Sequence, residues 1–430
     1  MPPSHKPSHH SLLLLPPAPS PPTYSALKAA YNSCLFSVLR QLVRDPHRDH
    51  QQKKPTILDI ALPCPHLYGQ LNSPRGPLYA TTQKLVANLY KLICTIAAKD
   101  AIDTEDAEGV DARIILVAYP RDGQLARAPE EATPEQELQG PAIDLYTLAR
   151  CPRPWDTIFS VESEQGDALL RNFLSLGPSS HQHSISKVRG GIVEVEGTKS
   201  TTSSAPDTTE SQEQVFEAKD HKSVILGGTF DHLHLGHKLL LTMFAFVLKR
   251  GGNTSILGDN SSPATLTIGM TGDELLKNKK FASVLESWER RQETTHNFLD
   301  SIINFGQADD SRIRIEHKHE PGPNGHGVYI YYPYNLVVRY IEIWDPFGPT
   351  ITEEDLTALV ISKETRGGGA AVNRKRDEQG WHALEIFEVD VLDAGEEEGE
   401  DVDETFQSKL SSTEIRRRLA ERADSVAAQR

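Results

Sequence analysis

The sequence predicts an α/β protein, with a Rossmann-like doubly wound parallel sheet in its second half and a second α/β domain in front of it. Three observations predict this. Apolar runs of strand length alternate with amphipathic stretches at helical spacing through both halves. A tract dominated by Ser, Thr, Gly, Glu and Gln separates the halves. The 430-residue length exceeds what one compact domain ordinarily holds. The expected division is an N-terminal α/β domain over 1–175, a partly disordered linker over 176–221 and the doubly wound domain over 222–430.

In the first half, Ser11–Leu15 reads as a short buried strand. From Tyr24 to Val43, apolar residues recur at helical spacing: Leu27, Ala30, Leu35, Val38, Leu39 and Leu42. Thr56–Leu62 is a second strand. Thr81–Ala98 is an amphipathic helix with Leu85, Leu89, Leu92 and Ile96 on one stripe. Ala112–Tyr119 is a third buried strand. This half has neither a Gly-rich phosphate loop nor a set of acid, base and nucleophile. In the linker, TKSTTSSAPDTTESQEQ buries too little apolar surface to offset ordering costs of ~1–2 kcal/mol per residue. Val188–Gly197 reads as a hairpin inside it.

The second half repeats the strand–helix order. Ser223–Leu226 is a strand, and a helix starts near Leu235. Thr265–Met270 is a strand, Glu286–Ile303 a charged helix and Ile313–Ile315 a short strand. Glu320–Gly327 is a Pro/Gly-rich loop. Asn335–Trp344, Leu356–Ser362 and Ala383–Leu392 are strands, and Ser412–Ala420 is a short basic helix. In such a sheet, ligands bind at the carboxyl ends of the strands.

The formal net charge of −15 disfavours nucleic acid as a partner. The four cysteines, Cys34, Cys64, Cys94 and Cys151, lack metal-ligand spacing and read as buried thiols of a reducing compartment. No apolar run is long enough to span a bilayer, so a cytoplasmic protein without a membrane partner is expected.

The segment GGTFDHLHLGH, Gly227 to His237, carries the chemistry. A buried strand runs into two glycines, then into polar residues, then into a helix. Gly227 and Gly228 let backbone approach a ligand. Thr229 offers a hydroxyl and an amide at the strand end. His234 and His237 can share one side of the helix start, where free N–H groups and the dipole favour an anion. Gly236 leaves room between them. No third and fourth ligands accompany the histidines at zinc spacing, so no metal site is expected. Near the C-terminus, KLSSTEIRRRL sets Ser411, Ser412 and Thr413 before a helix bearing Arg416; read alone this is an ordinary capped helix with a solvated basic face, and a triphosphate clamp is the alternative.

His234-Leu235-Gly236-His237 resembles the HxGH signature of the nucleotidyltransferase superfamily. The preceding Gly-Thr-Phe-Asp resembles its phosphopantetheine adenylyltransferase and cytidylyltransferase branches. Ser411-Ser412-Thr413-Glu414-Ile415-Arg416 resembles the triphosphate-binding motif of the adenylyltransferases, with Leu410 in place of isoleucine. Ser362-Lys363-Glu364-Thr365 and the stretch holding Asn373 and Arg376 are similar to the eukaryotic, fungal and archaeal forms.

The resemblance implies transfer of AMP from ATP to 4'-phosphopantetheine, giving dephospho-CoA and pyrophosphate in coenzyme A biosynthesis, with Mg²⁺ accompanying ATP. It implies His234, His237 and Lys279 as catalytic residues. Thr229 and Arg366 would bind the acceptor. Gly227, Gly228, Phe230, Gly236, Ser411, Ser412, Thr413 and Arg416 would bind the nucleotide. Association with other enzymes of coenzyme A biosynthesis is a further implied partnership. A cytidylyltransferase acting on another phosphorylated metabolite is the alternative.

Overall fold

The computed structural model describes residues 9–44, 56–104, 109–125, 138–178, 183–191, 219–250, 262–307, 310–392 and 411–427. The first half contains β1 (His10–Leu14), α1 (Tyr24–Arg44), β2 (Thr56–Pro63), α2 (Gly76–Lys99), β3 (Val110–Ala118), β4 (Ala142–Asp144), α3 (Leu145–Arg150), β5 (Thr157–Glu162), α4 (Glu164–Leu176) and β6 (Ser184–Arg189). These strands form a sheet of order β4-β3-β2-β1-β5-β6, parallel throughout. Every residue of β1 is buried, as a parallel strand covered by helices on both faces must be.

The second half contains β7 (Ser223–Gly228), α5 (Leu235–Val247), β8 (Ala264–Thr271), α6 (Asp273–Leu276), α7 (Trp288–Ile303), β9 (Arg314–His319), β10 (His326–Tyr332), β11 (Leu336–Ile343), β12 (Ala358–Ser362), α8 (Arg366–Glu378), β13 (Glu385–Val389) and α9 (Ser412–Ala427). Its sheet has the order β13-β12-β7-β8-β11-β10-β9. From β7 the chain builds outward through β8 and β11, then returns to place β12 on the other side of β7. The strand order therefore reverses between β7 and β12, the place where an open α/β sheet forms its ligand crevice.

The α/β class and the doubly wound sheet stand as expected, with three differences in detail. The second sheet is not wholly parallel, because β10 and β9 add antiparallel strands at one edge. β10 begins inside the expected loop, and its buried Val328, Ile330 and Tyr332 alternate with period two. Ser184–Arg189, assigned to the linker, is a parallel edge strand on β5. Residues 192–218, which hold the rest of that assignment, lie outside the described residues.

Helix α8 was also not anticipated, because Gly367, Gly368 and Gly369 each cost roughly 1 kcal/mol against Ala in a helix. Tertiary packing overrides that propensity. A Cβ on Gly369 would come within 3.0 Å of Ile386 and 3.1 Å of Ile361, so the missing side chain lets α8 sit close on the sheet.

One hydrophobic core runs through both halves, from Leu13 and Leu35 to Leu239, Phe298 and Val360. Helix α2 packs on α5. Main-chain bonds also cross the seam: the Gly140 amide donates to Ile303 at 2.8 Å and the Phe305 amide to Leu138 at 3.0 Å. A Cβ on Gly140 would lie 2.0 Å from the Ile302 carbonyl, so only glycine permits this approach. All four cysteines are free and buried, and burial pushes the Cys34 thiol up to about 12. Among the described residues, no helix is long and apolar enough to cross a membrane.

Candidate active site

A cavity of about 490 Å³ opens at the carboxyl ends of β7, β12 and β13, over the strand-order reversal. Gly227, Gly228, Thr229, Phe230, His234, Gly236 and His237 reach it from the β7–α5 segment. Lys279 comes from the loop after α6, and Ser411, Ser412, Thr413 and Arg416 come from α9 and its lead. Residues some 180 positions apart in the chain thus share one wall, as the 178-residue separation of His234 and Ser412 illustrates. Lys409 and Leu410 lie outside the described residues. A larger recess of about 680 Å³ lies on the seam between the halves, lined in part by Arg150, Phe305 and Arg312, and carries none of the expected site residues.

Arg366 is the exception. Expected to bind the acceptor phosphate, it is instead absent from the cavity wall and paired with Glu388 beside a separate recess shared with Tyr79. The chain turns into α8 at this residue, and its Nε donates to Glu388 of β13 at 2.7 Å. Asn373 and Arg376 also serve the fold. Arg376, 0 % exposed, donates to the carbonyls of Thr350, Glu353, Glu354 and His382. Asn373 exchanges two hydrogen bonds with the Leu384 backbone.

The turn between β7 and α5 is tightly determined. Phe230 and His232 take φ values of 54° and 48°, a region costly for residues with a Cβ. Their surroundings hold them there. Phe230 is buried against Gly228, where a Cβ would come within 2.8 Å of its ring. The His232 amide donates to Glu286 at 2.9 Å, and its Nε2 lies 2.9 Å from the Val284 carbonyl. Gly227 has open space where a Cβ would be, so it leaves the cavity floor free.

His234 and His237 stack with 3.8 Å between ring centroids and 22° between planes. Gly236 permits this, since a Cβ there would lie 3.1 Å from the His234 ring. His234 Nε2 is 3.4 Å from the Ser412 hydroxyl, while the Nδ1 atoms of both histidines are buried with no partner among the described residues. Burial pushes His237 down to about 4 and, together with the neighbouring His237, pushes His234 well below the usual imidazole value. Both rings are therefore neutral at neutral pH. The first turn of α5 has no side-chain cap, which leaves its N–H groups available to an anion.

Lys279 Nζ lies 3.5 Å from the Thr229 hydroxyl, and burial, followed by the Arg416 charge, lowers its pKa. Arg416 is 2 % exposed and pairs with Asp231, which is itself fully buried. Its remaining bonds go to the Lys280 carbonyl and the Thr413 hydroxyl, both at 3.1 Å. Arg416 thus lines the cavity while tying α9 to the β7–α5 turn.

Sequence reading missed Asp231 and Arg291. Arg291, 0 % exposed, donates to the Thr229 carbonyl at 2.7 Å, the Thr271 carbonyl at 2.9 Å and Asp273 at 2.6 Å. It fixes Thr229 from behind. Its signal was an arginine on the apolar stripe of α7, in line with Thr295, Phe298 and Ile302.

Residues 1–194 match a family described as a domain of unknown function, DUF8446. The chain is 30% identical over 272 residues to an uncharacterized protein of Schizosaccharomyces pombe, covering 63% of this chain and 66% of that one. It is 32% identical over 194 residues to the phosphopantetheine adenylyltransferase of Saccharomyces cerevisiae, covering 45% of this chain and 47% of that one. These alignments span about two thirds of the first yeast protein and about half of the second. It is also 32% identical over 171 residues to the phosphopantetheine adenylyltransferase of Pyrococcus abyssi, covering 40% of this chain and 80% of the archaeal one. An α/β crevice built by the Gly227–His237 segment and coverage of most of such a relative lead to one assignment: the chain belongs to the phosphopantetheine adenylyltransferase family.

Proposed function

We propose that the protein transfers AMP from ATP to 4'-phosphopantetheine, releasing pyrophosphate and forming dephospho-CoA, as a fungal-type member of its family. The observation that carries this reading is the convergence of His234, His237, Thr229, Lys279 and the start of α9 on one cavity. In the reaction, an oxygen of the acceptor phosphate bonds to the α-phosphorus of ATP, and the bond from that phosphorus to the pyrophosphate oxygen breaks. The acceptor is already an anion, so no general base is required. Catalysis then rests on position and on charge stabilisation.

The neutral imidazoles of His234 and His237 donate hydrogen bonds to the α-phosphate as charge builds on it. Thr229, held by Arg291 and adjacent to Lys279, orients the acceptor phosphate, and Lys279 offsets its charge. The start of α9, with Ser411, Ser412 and Thr413, takes the β- and γ-phosphates. The role of Arg416 is narrower than a free phosphate clamp, because Asp231 engages it.

Mg²⁺ enters as part of the ATP substrate. The carboxylates on the cavity wall are Asp231, Glu364 and Asp390, and two of these are engaged, by Arg416 and Lys363. Among the described residues no group of three or more His, Cys, Asp or Glu is assembled around a cation. That donor set suits an ion ligated mainly by phosphate and water.

Mass spectrometry of the products formed from ATP and 4'-phosphopantetheine tests the reading. Dephospho-CoA with stoichiometric pyrophosphate is the expected result. Turnover with CTP and not ATP would replace it with the cytidylyltransferase alternative.

A further inference from the structure

The residue after His237 points away from the cavity, into the first half of the chain. Lys238 is 4 % exposed, and its ammonium donates to Asp111 at 2.6 Å and to the Ala112 carbonyl at 3.2 Å. Both acceptors belong to β3. Among the described residues, β4 pairs with Leu116, Val117 and Ala118 and not with the earlier part of β3, which α7 of the second half approaches. Lys238 supplies a donor to that part of the strand. Asp111 is oriented in turn by Arg113, whose Nε and Nη2 reach it at 2.9 and 2.6 Å.

The main chain of Lys238 faces the other way. Its amide donates to the His234 carbonyl at 3.0 Å, closing the first turn of α5. One residue thus joins β3 to both histidines, to His234 through that bond and to His237 through the peptide between them. A buried ammonium tolerates only the few geometries that keep its partners, whereas an apolar contact would slide at little cost.

From this arrangement we infer that the Lys238–Asp111 pair is a positioning device: the first half of the chain, none of whose described residues lines the cavity, fixes the depth and rotation of the helix start that presents His234 and His237. The kinetic arm of this inference rests on the adenylyl-transfer reading, and the structural arm does not. Misplacing a catalytic group by about 1 Å costs on the order of 10²-fold in rate.

The test uses the full chain and the variants Asp111→Asn and Asp111→Asn/Lys238→Met. Removing Asp111's charge alone leaves the buried Lys238 ammonium uncompensated, whereas in the double variant that ammonium is gone and the new amide oxygen still accepts from Arg113, which keeps Asp59 nearby, so the double variant remains measurable if the single one unfolds. Two quantities are read: amide exchange of residues 235–240 without substrate, and kcat and KM with saturating ATP and 4'-phosphopantetheine. The expected result for the double variant is faster exchange confined to the first turn of α5 and a kcat lowered about 10- to 100-fold, with KM for ATP changed far less. Native exchange, or native kcat at restored thermal stability, would overturn the inference and leave the pair a purely structural contact. If the unaltered protein shows no turnover on these substrates, the adenylyl-transfer reading falls, and the exchange measurement still decides the anchoring.

Discussion

His234 and His237 lie face to face, 3.8 Å between ring centroids, on a helix start with no side-chain cap, and among the described residues neither buried Nδ1 has a partner. Two neutral, desolvated imidazoles so arranged suit a ligand that brings negative charge and acceptor oxygens. His237→Ala is expected to raise the barrier to transfer by about 2.7–4 kcal/mol, the usual loss for one donor to a developing anion. Pyrophosphate release at saturating substrate measures it, and near-native kcat would remove His237 from the mechanism.

The same burial sets a pH dependence. Unfolded imidazoles take up protons near 6.5, whereas His237 in the fold does so only near 4 and His234 also well below 6.5. The stability contributed by keeping these rings neutral is present above pH 6.5 and declines as pH falls toward about 4, because the unfolded chain binds protons first. Urea denaturation across that range should show the decline, and His237→Gln should flatten it. Binding of inorganic triphosphate should move both imidazole titrations upward by NMR, since an anion favours the protonated ring.

Gly227 and Gly228 are adjacent but should respond differently to alanine. At Gly228 the new methyl meets the Phe230 ring at 2.8 Å, and Phe230 cannot move freely because its φ is 54° and its side chain is buried. Gly228→Ala should cost about 1–3 kcal/mol of stability, as overpacking does. At Gly227 the methyl enters open space on the cavity wall, so Gly227→Ala should leave thermal stability nearly intact and raise the KM for a substrate. Equal melting shifts in the two variants would contradict the geometry of this turn.

Asp231→Asn leaves the Arg416 guanidinium buried without its counter-charge. The expected loss is about 3–5 kcal/mol. Limited proteolysis should then release α9 earlier than it does from the unaltered protein. An unchanged cleavage pattern would mean that the pair does not hold α9 in place.

Arg366→Ala should leave kcat and KM within about twofold of the unaltered protein, because an exposed ion pair contributes little and this one lies outside the cavity. A large rise in KM for 4'-phosphopantetheine would return Arg366 to the acceptor site.

Local chemistry made much of this protein legible in its sequence. Buried strands such as Ser223–Leu226 and the stripe of α2 declare themselves by hydrophobic period, and Gly227 to His237 forms a contiguous segment whose turn and helix start follow from residue type. The sequence also placed Ser411, Ser412 and Thr413 at the start of a helix. Propensity alone misled at α8, where close packing of Gly369 on Ile361 and Ile386 outweighs the cost of three glycines.

Only the tertiary structure decided which way the long side chains turn. Arg366 faces Glu388, Arg376 gathers four carbonyls, Arg291 supports Thr229 and Lys238 reaches β3. The physical reason is that a cationic side chain, buried or exposed, takes its position from acceptors scattered through the chain, and the spacing of residues along a segment carries no record of those partners.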